Sequence, residues 1–66
     1  MAKYCVAYVN FYDNEMKQVV VDCESGIDAP VVAGFATQED RDCWSDYVTM
    51  EQYFFDGDSV IGVIEV

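Results

Sequence analysis

The chain has no histidine, one proline and three basic residues, Lys3, Lys17 and Arg41. Without histidine there is no Ser-His-Asp or Cys-His nucleophilic arrangement and no imidazole general base. Zinc sites built on histidine are excluded as well, and three scattered cysteines make a weak thiolate site. The four glycines, Gly26, Gly34, Gly57 and Gly62, fit neither G-x-x-x-x-G-K nor G-x-G-x-x-G, so no phosphate-cradling loop is present. Cys5, Cys23 and Cys43 are odd in number and none pair at C-x-x-C spacing. A disulfide framework is not expected from such a set, and each cysteine reads as a small buried hydrophobe. No apolar run approaches membrane-spanning length, and the opening Met-Ala-Lys-Tyr has no signal-peptide pattern. The expectation is a reducing, cytoplasmic compartment.

What the chain has in excess is acid. Thirteen Asp and Glu give a net charge of −10 over 66 residues. Such a field repels nucleic acid and anionic membrane, so direct binding to either is not expected. It favours a basic partner, because complementary charge raises association rates and selects partners. Solubility alone needs less, since a magnitude of about 2–8 suffices for a small domain. Disorder is opposed by the 53% hydrophobic and 15% aromatic content.

The length allows one domain over residues 1–66. Residues 3–12 are rich in aromatic and β-branched types and predict a strand. Alternation puts Cys5, Ala7, Val9 and Phe11 on one face, read as core. Tyr4, Val6, Tyr8, Asn10 and Tyr12 lie on the other; its three tyrosines are of a type common at interfaces, although such a row more often serves sheet packing. Asp13-Asn14-Glu15 is a turn signal. Residues 16–23 predict a second strand paired antiparallel to the first, with Val19, Val21 and Cys23 alternating against Gln18, Val20 and Asp22. Residues 24–34 read as a loop with at most one helical turn: Asp28 and Pro30 could open a short helix, or Pro30 and Gly34 could bracket an extended Val31-Val32-Ala33. Thr37 before Gln38-Glu39-Asp40 predicts a helix start, and the helix should run over about 38–49. Cys43, Trp44, Tyr47 and Val48 would share its buried face, and Glu39, Asp42 and Asp46 its exposed one. Residues 51–56 could extend that helix or begin a strand. Asp56-Gly57 suits a type I′ hairpin turn, and residues 59–66, apolar on both faces but for Glu65, read as a central strand. The fold class is α+β: an antiparallel sheet of three to four strands with one helix packed on a face, in the order β-β-α-(β)-β.

Asp56-Gly57-Asp58-Ser59 looks like part of a calcium loop but lacks the alternating ligands and the closing Glu, so no metal is expected. Many carboxylates make any single pair uninformative as glycosidase chemistry, and 66 residues struggle to enclose a substrate. No enzyme activity and no cofactor is expected. The acids themselves are the candidate site. Asp13 and Glu15 crown the first turn, Glu39, Asp40, Asp42 and Asp46 follow the helix, and Asp56 and Asp58 crown the second turn. Acids three and four apart on a helix stand about 5–6 Å from one another. Phosphates along one DNA strand repeat at about 3.4 Å, so a folded acidic face can imitate a phosphate row coarsely.

The opening Ala-Lys-Tyr-Cys-Val-Ala-Tyr-Val-Asn-Phe-Tyr-Asp-Asn-Glu-Met-Lys, and Val32 to Tyr47 with Phe35-Ala-Thr-Gln-Glu-Asp at a helix start, resemble small acidic bacteriophage early proteins of the DNA-mimic inhibitor type. The resemblance covers most of the chain in size, charge and hairpin-plus-helix style. It implies inhibition by binding, with histone-like nucleoid proteins, RNA polymerase, restriction enzymes and other defence nucleases as the class of target. It also implies a possible homodimer that doubles the acidic face. Three expectations follow: a DNA mimic occupying the basic groove of a DNA-binding host protein, an acidic inhibitor docking on a specific host enzyme without mimicry, or a structural or assembly subunit.

Overall fold

A computed structural model describes all of residues 1–66. β1 (Ala2–Asn10) and β2 (Glu15–Cys23) form the expected antiparallel hairpin, from Ala2 opposite Cys23 to Asn10 opposite Glu15. A 3-10 turn at Gly26–Asp28 runs directly into the single turn α1 (Ala29–Val32), with Pro30 in its first turn where a missing N–H costs nothing. Gly34 then reverses the chain at φ 86°, a left-handed conformation that glycine adopts without strain. α2 (Gln38–Arg41) and α3 (Tyr47–Asp56) follow, and β3 (Ser59–Glu65) closes the sheet. The sheet has three antiparallel strands in the order β2-β1-β3, with the helices packed on one face.

Four expectations are corrected. First, the two faces of β1 are exchanged. Tyr4, Val6 and Tyr8 face the helices, whereas Cys5, Ala7 and Val9 lie on the open side. Both faces are apolar, so alternation alone does not orient them. The larger side chains fill the space between sheet and helices: Tyr8 stacks on Phe35 at 5.0 Å between ring centroids and meets Phe54 edge-on.

Second, residues 38–49 are not one helix. α2 stops at Arg41, and Asp46 starts α3 as a new N-cap in extended conformation. Of the supposed buried face, only Trp44 is buried. Cys43, Tyr47 and Val48 are exposed. Trp44 holds the linker down, donating its indole N–H to the Ile27 carbonyl at 2.9 Å and packing on Phe54. Arg41 supports it by bonding both the Trp44 carbonyl and the Asp28 carboxylate. Residues 51–56 extend α3 and form no strand.

Third, Asp56-Gly57-Asp58 is not a hairpin turn. Gly57 closes α3, and Asp58 takes the left-handed conformation at φ 61°. Fourth, β3 lies at the sheet edge and β1 is central. The buried set that results includes Val6, Cys23, Trp44, Met50, Phe54 and Ile61. Burial pushes the Cys23 thiol pKa up, and its S–H donates to the Ser25 carbonyl. No helix is long and apolar enough to cross a membrane.

Candidate functional site

The expected acids separate into two groups. Asp13, Glu15, Asp56 and Asp58 collect at one end of the sheet, where β1 ends, β2 begins and β3 begins. Glu39, Asp40, Asp42 and Asp46 belong to the α2 segment and the start of α3. Asp46 and Asp56 stand at opposite ends of the ten-residue α3, roughly 15 Å apart at the rise of an α-helix. The supposed stripe of Glu39, Asp42 and Asp46 is therefore dissolved by the break at 42–46.

Carboxylates in the helical group are partly committed to the fold. Asp40 accepts the Thr37 N–H at 2.8 Å, the Thr37 hydroxyl and the Tyr53 hydroxyl. The Thr37 amide, then the two hydroxyls, hold its carboxyl below the ordinary carboxylate range. In return Asp40 pushes the Tyr53 phenol up to about 12. Asp46 accepts the Thr49 N–H and hydroxyl, both at 2.8 Å, and its carboxyl is also held low, first by that amide. Each of these two acids thus completes a capping box, satisfying N–H groups that the first helical turn leaves unpaired. Asp28 is paired with Arg41.

The sheet-end group is built differently. Its two turns are fastened together by Asn10. The Asn10 carboxamide oxygen accepts the Asp13 N–H at 3.0 Å, and its NH2 donates to the Tyr8 hydroxyl at 3.0 Å and the Ser59 hydroxyl at 3.3 Å. Phe11 N–H donates to the Asp58 carbonyl at 2.9 Å. In the sequence Asn10 is one position of the tyrosine face and Ser59 opens the last strand. The usable signal was a polar residue closing an apolar strand, opposite a serine opening another. Glu15 is paired with Lys17 across an exposed 3.4 Å contact, and Asp56 accepts from Gln52. Neither Asp13 nor Asp58 has a side-chain partner.

Two features of this end run against stability. Asp56 and Asp58 sit at the C-terminus of α3, where the helix dipole is negative, and no basic residue occupies the last turn. Asp58 also holds a left-handed backbone conformation where glycine would be easier. Around these acids lie exposed aromatic rings: Phe11, Tyr12 at 84% exposure and Phe55 at 63%. The tyrosine row packs largely into the core, the commoner role for such a row, and Tyr12 alone of its tyrosines stays exposed.

No group of three or more His, Cys, Asp or Glu side chains is arranged to hold a metal ion. No family model, curated protein or solved structure matches the chain.

Proposed function

We propose that the protein is a non-enzymatic inhibitor that binds a basic DNA-binding protein through its acidic sheet end and blocks DNA binding, with a histone-like nucleoid protein as the favoured target. The observation that carries this reading is the placement of Asp13, Glu15, Asp56 and Asp58 on two turns tied to each other. Two of them stand against the negative end of α3. Residues that break a local stability rule without a structural return are expected at functional surfaces. A cationic groove that accepts phosphates would relieve this local repulsion on docking. Targets that recognise DNA by backbone and shape are the ones a coarse charge mimic can enter. The resemblance to phage early proteins points the same way.

Gel-shift competition tests the proposal. Added protein should release DNA from a purified histone-like protein, and the release should weaken as salt rises, as phosphate-directed binding does. Failure to displace DNA at any salt concentration rejects the mimic.

A second reading, docking on a specific enzyme without copying DNA, is favoured by the groove of about 310 Å³ between α3 and β3. Val48, Phe55 and Val60 line it beside Glu51, and its Phe55 and Ser59 border the acidic end. Affinity capture from a bacterial lysate, repeated with Phe55→Lys, distinguishes the two. A target lost with Phe55→Lys but retained at high salt belongs to the second reading.

A further inference from the structure

We infer that the open face of the sheet is the seat of a second copy of this chain, so that two sheets pack face to face. Every strand contributes to it. From the register, its positions are Lys3, Cys5, Ala7 and Val9 on β1, the residues opposite them on β2, and Val60, Gly62 and Ile64 on β3. The centre is low, with Ala7 opposite Gly62, and Met16, Val20, Val60 and Ile64 rise around it. Met16 is 80% exposed and Ile64 69%, and the helices all lie on the other side. Sheets buried on both faces carry apolar residues at successive positions, as β1 and β3 do, whereas a solvated face alternates to polar.

The charge distribution selects the occupant. By the same register, only one of the 13 acids, Asp22, falls on this face, and it lies opposite Lys3. Lys3 is also the one Lys or Arg with no carboxylate partner in the monomer. A basic partner finds its attraction on the other surfaces. Two bodies of charge −10 repel wherever acids meet, and this face is where they can approach. A two-fold interface makes each contact twice, so Lys3 of one copy and Asp22 of the other can supply two ion pairs at its ends. Sheets stacked in this way lie about 10 Å apart and interdigitate their side chains. The inference is independent of what the acidic end binds.

Sedimentation equilibrium tests it. Raising the concentration from micromolar to millimolar should double the mass from the 7.5 kDa chain, and added salt should strengthen association by screening the repulsion. This is the opposite sign to acid-driven target binding. Ile64→Lys and Val20→Lys should leave a monomer with an unchanged circular dichroism spectrum, while Val48→Lys, in the α3–β3 groove, should still dimerise. The unmodified chain supplies a second readout. Cys5 lies on the proposed interface and Cys43 is exposed elsewhere. Thiol alkylation of Cys5 should slow at least severalfold as concentration rises, with Cys43 unchanged. A monomer at millimolar concentration in high salt overturns the inference. So does a dimer in which Cys5 reacts as fast as in dilute solution, or one broken by Val48→Lys and not by Ile64→Lys.

Discussion

The carboxylates of Asp28, Asp40 and Asp46 and those of the sheet end are the same chemical group put to opposite uses. Asp40 and Asp46 close capping boxes, and Asp28 holds Arg41 against Trp44. Each accepts donors that would otherwise go unpaired. Asp56 and Asp58 meet the wrong end of a helix dipole, and Asp58 adds an unfavourable φ. Composition counts the two sets alike. Their place in the fold and their partners together separate acids that stabilise it from acids that are free to bind. Variants should therefore divide the same way, with one set changing stability and the other changing competition with DNA.

The largest change is expected where the two roles meet. Asn10→Ala removes the side chain that ties the turn of Asp13 to Ser59 and leaves the Tyr8 and Ser59 hydroxyls short of a partner. It should lower stability by about 1–3 kcal/mol and weaken competition as well, measured by urea unfolding and gel shift. A variant that loses stability and competes unchanged would show that the two turns need not be held together. Arg41→Met should cost about 1–2 kcal/mol through loss of the bonds to Asp28 and the Trp44 carbonyl, with competition intact. Loss of competition at unchanged stability would place binding on the helical side.

Asp58→Gly sharpens the contrast because the two effects have opposite signs. Relief of the left-handed strain and of the dipole should raise stability by up to about 1 kcal/mol, while competition weakens. Thermal unfolding and gel shift on one preparation read both. A variant that is more stable and equally competitive would remove Asp58 from the binding surface.

The pH response should isolate the committed acids. Asp40 and Asp46 have depressed carboxyl pKa values in the fold, so their stabilising contribution is complete above the ordinary 3.8 and is lost as pH falls through their lower folded values. Tyr53 has the reverse sign. Its pKa rises from 10.0 to about 12, so its contribution is complete below pH 10.0 and disappears as pH climbs to about 12. Melting curves across the two windows should slope in these directions; burial also raises the Cys23 and Tyr4 pKa values, so Tyr53→Phe should flatten the alkaline slope without abolishing it. An unchanged alkaline slope in Tyr53→Phe would contradict the Asp40–Tyr53 bond.

Much of the architecture was legible from the chain. The hairpin could be read because β-branched runs flank Asp13-Asn14-Glu15, and the start of α2 because Thr37 precedes Asp40 by three residues. Trp44 was legible as core from its size. The break after Arg41 was hidden because Trp44, Tyr47 and Val48 happen to keep helical spacing. The overlooked signal was Asp46-x-x-Thr49, a second capping pattern inside the supposed helix. The orientation of β1 was illegible because both its faces are apolar. For the same reason β3 resembled a central strand while lying at the edge. The acids of the site could be named, but their division depended on which turns come together, and that is fixed by Asn10 and the pairing of Phe11 with Asp58.

Fluorescence anisotropy of labelled DNA on a histone-like protein, titrated with two variants of equal charge, tests the division directly. Asp13→Asn/Asp56→Asn/Asp58→Asn strips the sheet end, and Glu24→Gln/Glu39→Gln/Asp42→Asn strips exposed acids elsewhere. The first should need on the order of tenfold or more protein than the unmodified chain to release the DNA, and the second should differ little from it. Equal losses in the two variants would mean that total charge, not the acidic sheet end, does the binding.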